Sequence, residues 1–137
     1  MDTFGTLKIS ASGLYAQRAR MNVIASNMAN ANTTRTEEGG PYRRKDVVFT
    51  ATPFEKELKD GLAGVKVTEV VEDQTPLREV YDPEHPDADE NGIVQLPNVN
   101  TIEEMVNMMM ASRAYEANIS TFNISKGMFR KALEIGR

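Results

Sequence analysis

The sequence predicts a mainly α-helical protein in which long N- and C-terminal helices pair as an antiparallel, coiled-coil-like unit. A small β and loop insertion is expected between them. The helices are indicated by apolar residues that recur alternately three and four positions apart at both ends of the chain. The insertion is indicated by the six prolines, which all fall between positions 41 and 97 and leave segments too short for long helices.

The N-terminal segment, residues 1–35, is predicted to be one assembly helix. A 3.5-residue period places a narrow stripe on one side of that helix, as in the seam of a coiled coil. Seven of the eight stripe positions are apolar, and Arg18 is the exception. The predicted stripe contains Phe4, Leu7, Ala11, Leu14, Arg18, Met21, Ala25 and Met28.

The middle segment, residues 36–100, is predicted to hold short strands and turns. Apolar and polar residues alternate over 64–71, and β-branched residues with Phe49 are concentrated over 42–51. Weaker strand signals cover 77–81 and 93–96.

The C-terminal segment, residues 101–137, is predicted to be a second assembly helix of about 30 residues, starting near Ile102. Thr101 and Glu104 have the spacing of a capping box. The predicted stripe contains Met105, Met108, Ser112, Tyr115, Ile119, Phe122, Lys126, Phe129 and Leu133.

A helix with one narrow apolar stripe cannot shield that stripe alone and needs a partner. The other terminal helix is the nearest partner if the insertion returns the chain, so we expect the two to run antiparallel. The apolar surface left over favours self-association or binding to a homologous neighbour.

Charge and composition exclude several classes of function. Residues 36–100 hold seven basic and 15 acidic residues, and neither terminal segment carries a dense Lys/Arg stripe, so duplex nucleic acid is not the expected partner. The chain has no cysteine and no apolar run long enough to span a bilayer. Its start lacks the pattern of a cleavable export signal, so we expect neither membrane insertion nor signal-peptide cleavage.

The acidic stretch 82–92 contains the one candidate metal site. Asp87, Asp89, Asn91 and Gly92 match the opening of an EF-hand loop, but the twelfth position is Asn98 where a glutamate is needed. His85 is the only histidine and has no nucleophile placed beside it by a motif. We therefore expect a solvated acidic turn, no cofactor and no enzymatic activity.

Asparagines cluster near the end of the predicted N-terminal helix. The side-chain amides of Asn27 and Asn30, among others, are placed to bond neighbouring backbone groups or to cap the helix C-terminus. The clustering alone has low specificity.

Both ends of the chain resemble the axial rod and hook family of the bacterial flagellum. The N-terminal match is SGLYAQRARMNVIASNMANANTT at 12–34, and the C-terminal matches are PNVNTIEEMVNMMMASRAYEANI at 97–119 and KALEIGR at 131–137. Hook and distal-rod proteins carry a much longer insertion, so the length is similar to that of the short proximal rod proteins of the basal body. Most of 50–92 carries no specific motif.

The resemblance implies a structural subunit of the proximal rod, part of the drive shaft that transmits torque and surrounds the export channel. The implied location is the periplasmic rod of the basal body, reached through the flagellar type III export apparatus. Implied partners are further copies of the chain, FlgB, the distal rod proteins, the rod-to-rotor adaptor FliE and the export apparatus. The assembly interface is then expected at Leu7, Leu14, Arg18, Met21, Asn27, Asn30, Met105, Met108, Arg113, Tyr115, Ile119, Phe122 and Phe129.

Two other functional classes stay open from the residues alone. One is a metal-binding or hydrolytic module that uses the acidic loop 82–92. The other is a helical export chaperone, which would form a stable complex with its cargo instead of entering the basal body.

Overall fold

The chain folds as two long helices with two small sheets between them along the sequence. The computed structural model describes residues 3–53 and 63–136; residues 1–2, 54–62 and 137, which belong to the predicted segments 1–35, 36–100 and 101–137, lie outside the described residues. The prediction of a mainly helical chain with a small strand-containing insertion is confirmed. The elements are α1 (Thr3–Ala29), β1 (Lys45–Pro53), β2 (Ala63–Glu72), β3 (Arg78–Tyr81), β4 (Ile93–Leu96) and α2 (Thr101–Ile135).

The two helices pack against each other in antiparallel directions. Contacts along the pair join Phe4 to Phe129, Gly13 to Asn118 and Asn27 to Glu104. Residue numbers therefore fall along α2 as they rise along α1. The helices have 27 and 35 residues, about 40 and 52 Å, so α2 continues past the described start of α1.

Small residues allow the two helices to approach closely. A methyl group added at Gly13 would lie 3.0 Å from the Asn118 amide nitrogen. Ala16 and Ala111 are almost completely buried, with 1% and 0% of their surface exposed. Close backbone approach thus replaces interdigitation of large side chains in this part of the pair.

Each sheet contains two antiparallel strands. Val47 of β1 lies opposite Val70 of β2, and the register shifts by one residue after Val48. This sheet packs along α1, where the Val65 backbone N–H donates to the Ser12 hydroxyl over 3.0 Å. The second sheet pairs β3 with β4.

A small cluster of buried apolar residues lies where the end of α1, the insertion and the start of α2 meet. Ala31, Tyr42 and Val99 form one cluster there, and Val94 of β4 is 2% exposed. Within the described chain, neither helix has a stretch apolar enough to cross a membrane.

The predicted capping box at the start of α2 is wrong. Asn100 is the N-cap, and its side-chain oxygen accepts from the backbone N–H groups of Ile102 and Glu103 over 3.1 and 3.4 Å. The Glu104 side chain is instead held in the buried junction between α1 and the insertion, so it does not return to the helix start.

Candidate assembly interface

Asn27, near the end of α1, is completely buried and uses all four hydrogen-bonding positions of its amide. Its oxygen accepts from the Tyr42 hydroxyl and from the Lys45 backbone N–H, each over 2.9 Å. Its nitrogen donates to the Lys45 carbonyl over 2.8 Å and to Glu104 Oε2 over 3.1 Å. The amide thus pairs with Lys45 as a neighbouring strand would, and it joins α1, β1 and α2 at one point.

Glu104 brings a buried negative charge into the same junction. Its Oε1 accepts from Arg44 Nε over 2.7 Å, so both carboxylate oxygens have donors. Partial burial lowers the pKa of Arg44, but the hydrogen bond and charge of Glu104 outweigh it and raise the pKa above its usual value. A buried charge is tolerated only with such partners.

Side-chain to backbone hydrogen bonds tie the rest of the insertion to this junction. Asn98 accepts from the Arg44 backbone N–H over 2.8 Å and donates to the carbonyls of Asp73 and Thr75. Arg78 of β3 donates to the Pro97 carbonyl over 3.2 Å.

We call the buried group Asn27, Tyr42, Arg44 and Glu104 the polar junction.

The stripe of α2 that faces α1 differs in register from the predicted one. Among the described helices and strands, α2 packs against α1 alone, and Arg44 of the insertion also covers Glu104. Burial along the rest of α2 therefore marks mainly the side that faces α1. Met108, Tyr115, Phe122 and Phe129 of the prediction are half-buried, and so is Ser112, beside fully buried Ala111. Met105, Ile119 and Lys126 are exposed, and the residue just before each of them is buried or half-buried. The buried or half-buried stripe contains Glu104, Met108, Ala111, Tyr115, Asn118, Phe122, Ser125 and Phe129.

Three large apolar residues of the predicted stripe lie outside the contact with α1, and their packing against neighbouring copies stays a prediction: Met105, Ile119 and Leu133. These side chains are 55%, 37% and 59% exposed. The positions just before Met105, Ser112, Ile119 and Lys126 hold the inner residues Glu104, Ala111, Asn118 and Ser125, which are small or polar. A search for large apolar residues therefore selects an exposed residue at these places and misses the small or polar neighbour that faces α1.

The predicted stripe of α1 is likewise only partly shielded. Leu7, Leu14, Met21 and Met28 are half-buried, whereas Ala11, Arg18 and Ala25 are exposed. The shielded side of α1 includes Ser10, Ala16, Ile24 and Asn27, and it contacts both α2 and the first sheet.

Seven of the exposed residues of α1 form a regular stripe of their own, and Phe4 and Ser26 are exposed as well. The seven recur alternately three and four residues apart, and we call them the outer face of α1: Lys8, Ala11, Tyr15, Arg18, Asn22, Ala25 and Ala29.

Eleven of the exposed residues of α2 follow a second stripe on the side away from α1, and others, such as Glu116 and Arg130, are exposed outside it. Eight of its eleven residues are apolar, and exposed fractions reach 63% at Ile124 and 67% at Met128. We call this stripe the outer face of α2: Ile102, Val106, Met109, Met110, Arg113, Ala117, Ser120, Ile124, Met128, Lys131 and Ile135.

The expected interface residues therefore divide into three groups. Asn27 lies in the polar junction inside the chain, and half-buried Asn30 donates to the Ser26 carbonyl near the end of α1 and accepts from the Thr33 hydroxyl. Arg18 and Arg113 lie on the two outer faces, and Met105 and Ile119 are exposed beside them. The remaining residues are half-buried between or beside the helices: Leu7, Leu14, Met21, Met108, Tyr115, Phe122 and Phe129.

Sequence reasoning did not find Arg44, and it assigned Glu104 to a helix cap. The available signal for Glu104 was its position four residues before Met108, in line with the inner stripe. That signal is invisible to a search for apolar residues.

The acidic turn at 82–92 uses its side chains to hold its own shape and to bind the segment that follows α1. Asp87 accepts from the Thr34 hydroxyl over 2.7 Å and from Arg35, and these contacts, the Thr34 hydrogen bond first, lower the pKa of Asp87. Asp89 accepts from the backbone N–H groups of Asn91 and Ile93, each over 2.8 Å. No group of three or more His, Asp or Glu side chains in the described part of the chain is placed to hold a metal ion.

Two family models match the helical ends of the chain, and known proteins match nearly its whole length. Residues 7–35 match the family model "Flagella basal body rod protein", and residues 90–135 match "Flagellar basal body rod FlgEFG protein C-terminal". The chain is 46% identical to the flagellar basal-body rod protein FlgC of Borreliella burgdorferi, with 98% of each chain covered. It is 44% identical to that of Bacillus subtilis over 100% of each chain, and 47% identical to that of Salmonella typhimurium over 94% of each.

The chain belongs to the FlgC family of flagellar basal-body rod proteins. It is a structural subunit of the basal-body rod, and its location is the flagellar basal body. These matches give no support to a metal-binding module, a hydrolase or an export chaperone. The two family models cover most of α1 with the turn after it, and β4 with α2, so they include both outer faces and two members of the polar junction, Asn27 and Glu104.

Proposed function

We propose that this rod subunit assembles through the outer faces of its two helices into the proximal part of the drive shaft. The observation that carries the proposal is the outer face of α2. Its apolar side chains are exposed along a helix of about 52 Å, far more apolar surface than a single chain needs to display. Burial of that surface against neighbours would stabilise an assembled rod.

Segments 1–35 and 101–137 are proposed to act as one assembly unit, into which 36–100 is inserted. The contacts between α1 and α2 support this division, and the polar junction supports a fixed connection between the unit and the insertion. Packing of the helix pair as a coiled coil is part of the proposal, and the alternating four and three spacing of the inner stripe of α2 supports it.

The proposed partners are further copies of the chain, FlgB, the distal rod proteins, the adaptor FliE and the type III export apparatus. In the assembled periplasmic rod, the helix pairs would surround the export channel and transmit torque along their length. The subunit is proposed to be exported without signal-peptide cleavage and to have no enzymatic activity, and no catalytic group is part of its role.

Val106→Asp tests the proposal. Val106 is 50% exposed on the outer face of α2, so the substitution leaves the contact with α1 in place while adding a charge where neighbours would pack. Helix content of the purified variant should match the parent by circular dichroism, whereas swimming and recovery of rods in purified basal bodies should be lost.

Val70→Asp is the matched control, because Val70 is 47% exposed on β2, away from both outer faces. It should retain swimming. Normal motility and normal rods in the Val106→Asp strain would contradict assembly through this face.

A further inference from the structure

The acidic turn between β3 and β4 contains an asparagine that is followed directly by a glycine, Asn91 and Gly92. In such a pair the glycine backbone nitrogen can attack the carbon of the side-chain amide, because no side chain on the second residue hinders the approach. The chain has ten asparagines, and Asn91 is the one that precedes a glycine. The turn therefore contains the pair of residues whose chemistry most favours deamidation.

The two reacting groups differ in their freedom to move. Asn91 is exposed, and the printed hydrogen bond of this residue is made by its backbone N–H and not by its side-chain amide. Gly92 is buried and has a φ of +77°, and a methyl group added there would lie 2.9 Å from Pro83 and 3.0 Å from Tyr81. The amide can thus reorient, while the attacking nitrogen belongs to a fixed backbone.

Asp89 holds that backbone in an unreactive arrangement. The Gly92 N–H donates to the Asp89 carbonyl over 3.0 Å. The Asp89 carboxylate accepts from the backbone N–H groups of Asn91 and Ile93, each over 2.8 Å. Ring closure requires the Gly92 nitrogen to lose its proton and the Asn91 backbone to rotate, so these bonds must open first. Reaction therefore occurs in the fraction of molecules whose turn has opened locally.

The other nine asparagines are less suited to the reaction. Five lie within the two helices, where the backbone N–H of the following residue is held in the helical hydrogen-bond pattern: Asn22, Asn27, Asn107, Asn118 and Asn123. Four are followed by Ala, Thr or Val, whose side chains hinder the attack: Asn30, Asn32, Asn98 and Asn100.

We infer that Asn91 is the principal site of spontaneous deamidation in this chain and that Asp89 sets its rate. The Gly92 nitrogen, deprotonated by hydroxide, forms a bond to Cγ of Asn91. The bond from Cγ to Nδ2 breaks, and the side-chain nitrogen takes up a proton from solvent and leaves as ammonia. Water then opens the five-membered imide at either carbonyl, which leaves aspartate or isoaspartate at position 91.

Both products alter the turn. Each adds one negative charge beside Asp89 and Glu90, and isoaspartate also lengthens the backbone by one methylene group. The backbone has little room for this change, because the Gly92 carbonyl accepts from the Asp82 N–H over 2.8 Å and Gly92 packs closely against Pro83. The isoaspartate product should therefore weaken the turn that joins β3 to β4.

Mass spectrometry of proteolytic peptides tests the inference. The purified chain is incubated at mildly alkaline pH, both folded and in urea, and the mass gain from amide to carboxyl is followed at each asparagine. Position 91 should react first in the folded chain, several-fold more slowly than the same position in urea. Asn91→Gln should abolish the reaction in this peptide, since the larger ring that glutamine must close forms far more slowly.

Three variants test the role of Asp89 as a positioning residue. Asp89→Ala removes the two bonds that the carboxylate accepts, and the rate at Asn91 should rise by about 5- to 30-fold. Asp89→Asn keeps an accepting oxygen and should react at about the parent rate. Glu90→Ala is the matched control, because Glu90 is an exposed acidic residue of the same turn that takes no part in these bonds.

Three results would overturn the inference. They are a different asparagine reacting first in the folded chain, equal rates at position 91 in the folded and urea-denatured parent, and equal rates in Asp89→Ala and Glu90→Ala. The comparison of folded with denatured parent needs no variant, so the inference can fail even if Asp89→Ala does not fold.

Discussion

Replacing Asn27 by aspartate exchanges its side-chain NH2 group for an oxygen atom. This change in the polar junction should strongly destabilise the chain. Aspartate has nearly the same shape, and it keeps the two acceptor contacts with Tyr42 and the Lys45 N–H. The two donating contacts, 2.8 Å to the Lys45 carbonyl and 3.1 Å to Glu104, become contacts between two acceptors. The result is two buried carboxylates side by side.

The magnitude follows from the cost of relieving that contact. Two charges about 3 Å apart repel by about 5 kcal/mol at an effective dielectric constant of 20. Protonating the new carboxyl instead costs about 4 kcal/mol at pH 7, since its ordinary pKa is about 4 and each pH unit is worth 1.36 kcal/mol. One lost neutral hydrogen bond adds about 1 kcal/mol. We therefore expect a loss of about 5 kcal/mol at pH 7.

The loss should depend on pH in a defined direction. The folded variant has a raised pKa at the introduced carboxyl, so it takes up a proton that the unfolded chain does not hold. Its stability deficit should then shrink as the pH falls, by about 2 to 3 kcal/mol between pH 7 and pH 5. Asn27→Ala lacks that group, and its deficit should change little over this range.

Urea unfolding followed by circular dichroism at several pH values measures both effects. Asn22→Asp is the matched control, because Asn22 is exposed on the outer face of the same helix, and it should change stability by less than about 0.5 kcal/mol. An Asn27→Asp variant as stable as the parent at pH 7 would refute the reasoning, as would a deficit that grows on acidification.

Two further predictions concern the insertion. Gly92→Ala should destabilise by about 1 to 3 kcal/mol in urea unfolding, because Gly92 has a φ of +77° and a methyl group there would lie 2.9 Å from Pro83; an unchanged midpoint would contradict this. The Thr75 backbone N–H and hydroxyl lower the pKa of Asp73 in the folded chain. The Asp73 carboxylate therefore stabilises the fold above about pH 4, and this contribution is lost as the pH falls through the lower folded-state pKa of Asp73. Asp73→Asn should accordingly lose less stability than the parent between pH 6 and pH 3, and an equal loss in both would argue against the contribution.

Much of the fold was predictable because its signals are local. Spacing identified both helices, and the strand predicted at 93–96 matches β4 residue for residue. The predicted strand 42–51 begins three residues before β1. Side chains hold part of that stretch, since Arg43 donates to the Asp73 carbonyl and the Arg44 backbone N–H donates to Asn98.

The side of each helix that faces the other helix was less predictable. A three-four spacing of large apolar residues shows that apolar stripes exist, but it does not show which stripe packs against the other helix of the same chain. The helices approach through Gly13, Ala16 and Ala111, which contribute little to a hydrophobic pattern. Larger side chains such as Met110 remain outside, available to another molecule. The pattern therefore identified a mixture of internal and external contacts.

What the sequence by itself determined is the presence of two amphipathic end helices, a short strand-containing insertion and the resemblance to rod proteins, because each depends on residues close together in the chain. Only the tertiary structure decided that Asn27 and Glu104, 77 residues apart, share a buried hydrogen bond. The same is true of the division of each helix into an inner and an outer face. Those features depend on the distance and rotation between packed helices, which small residues set and which no local pattern records.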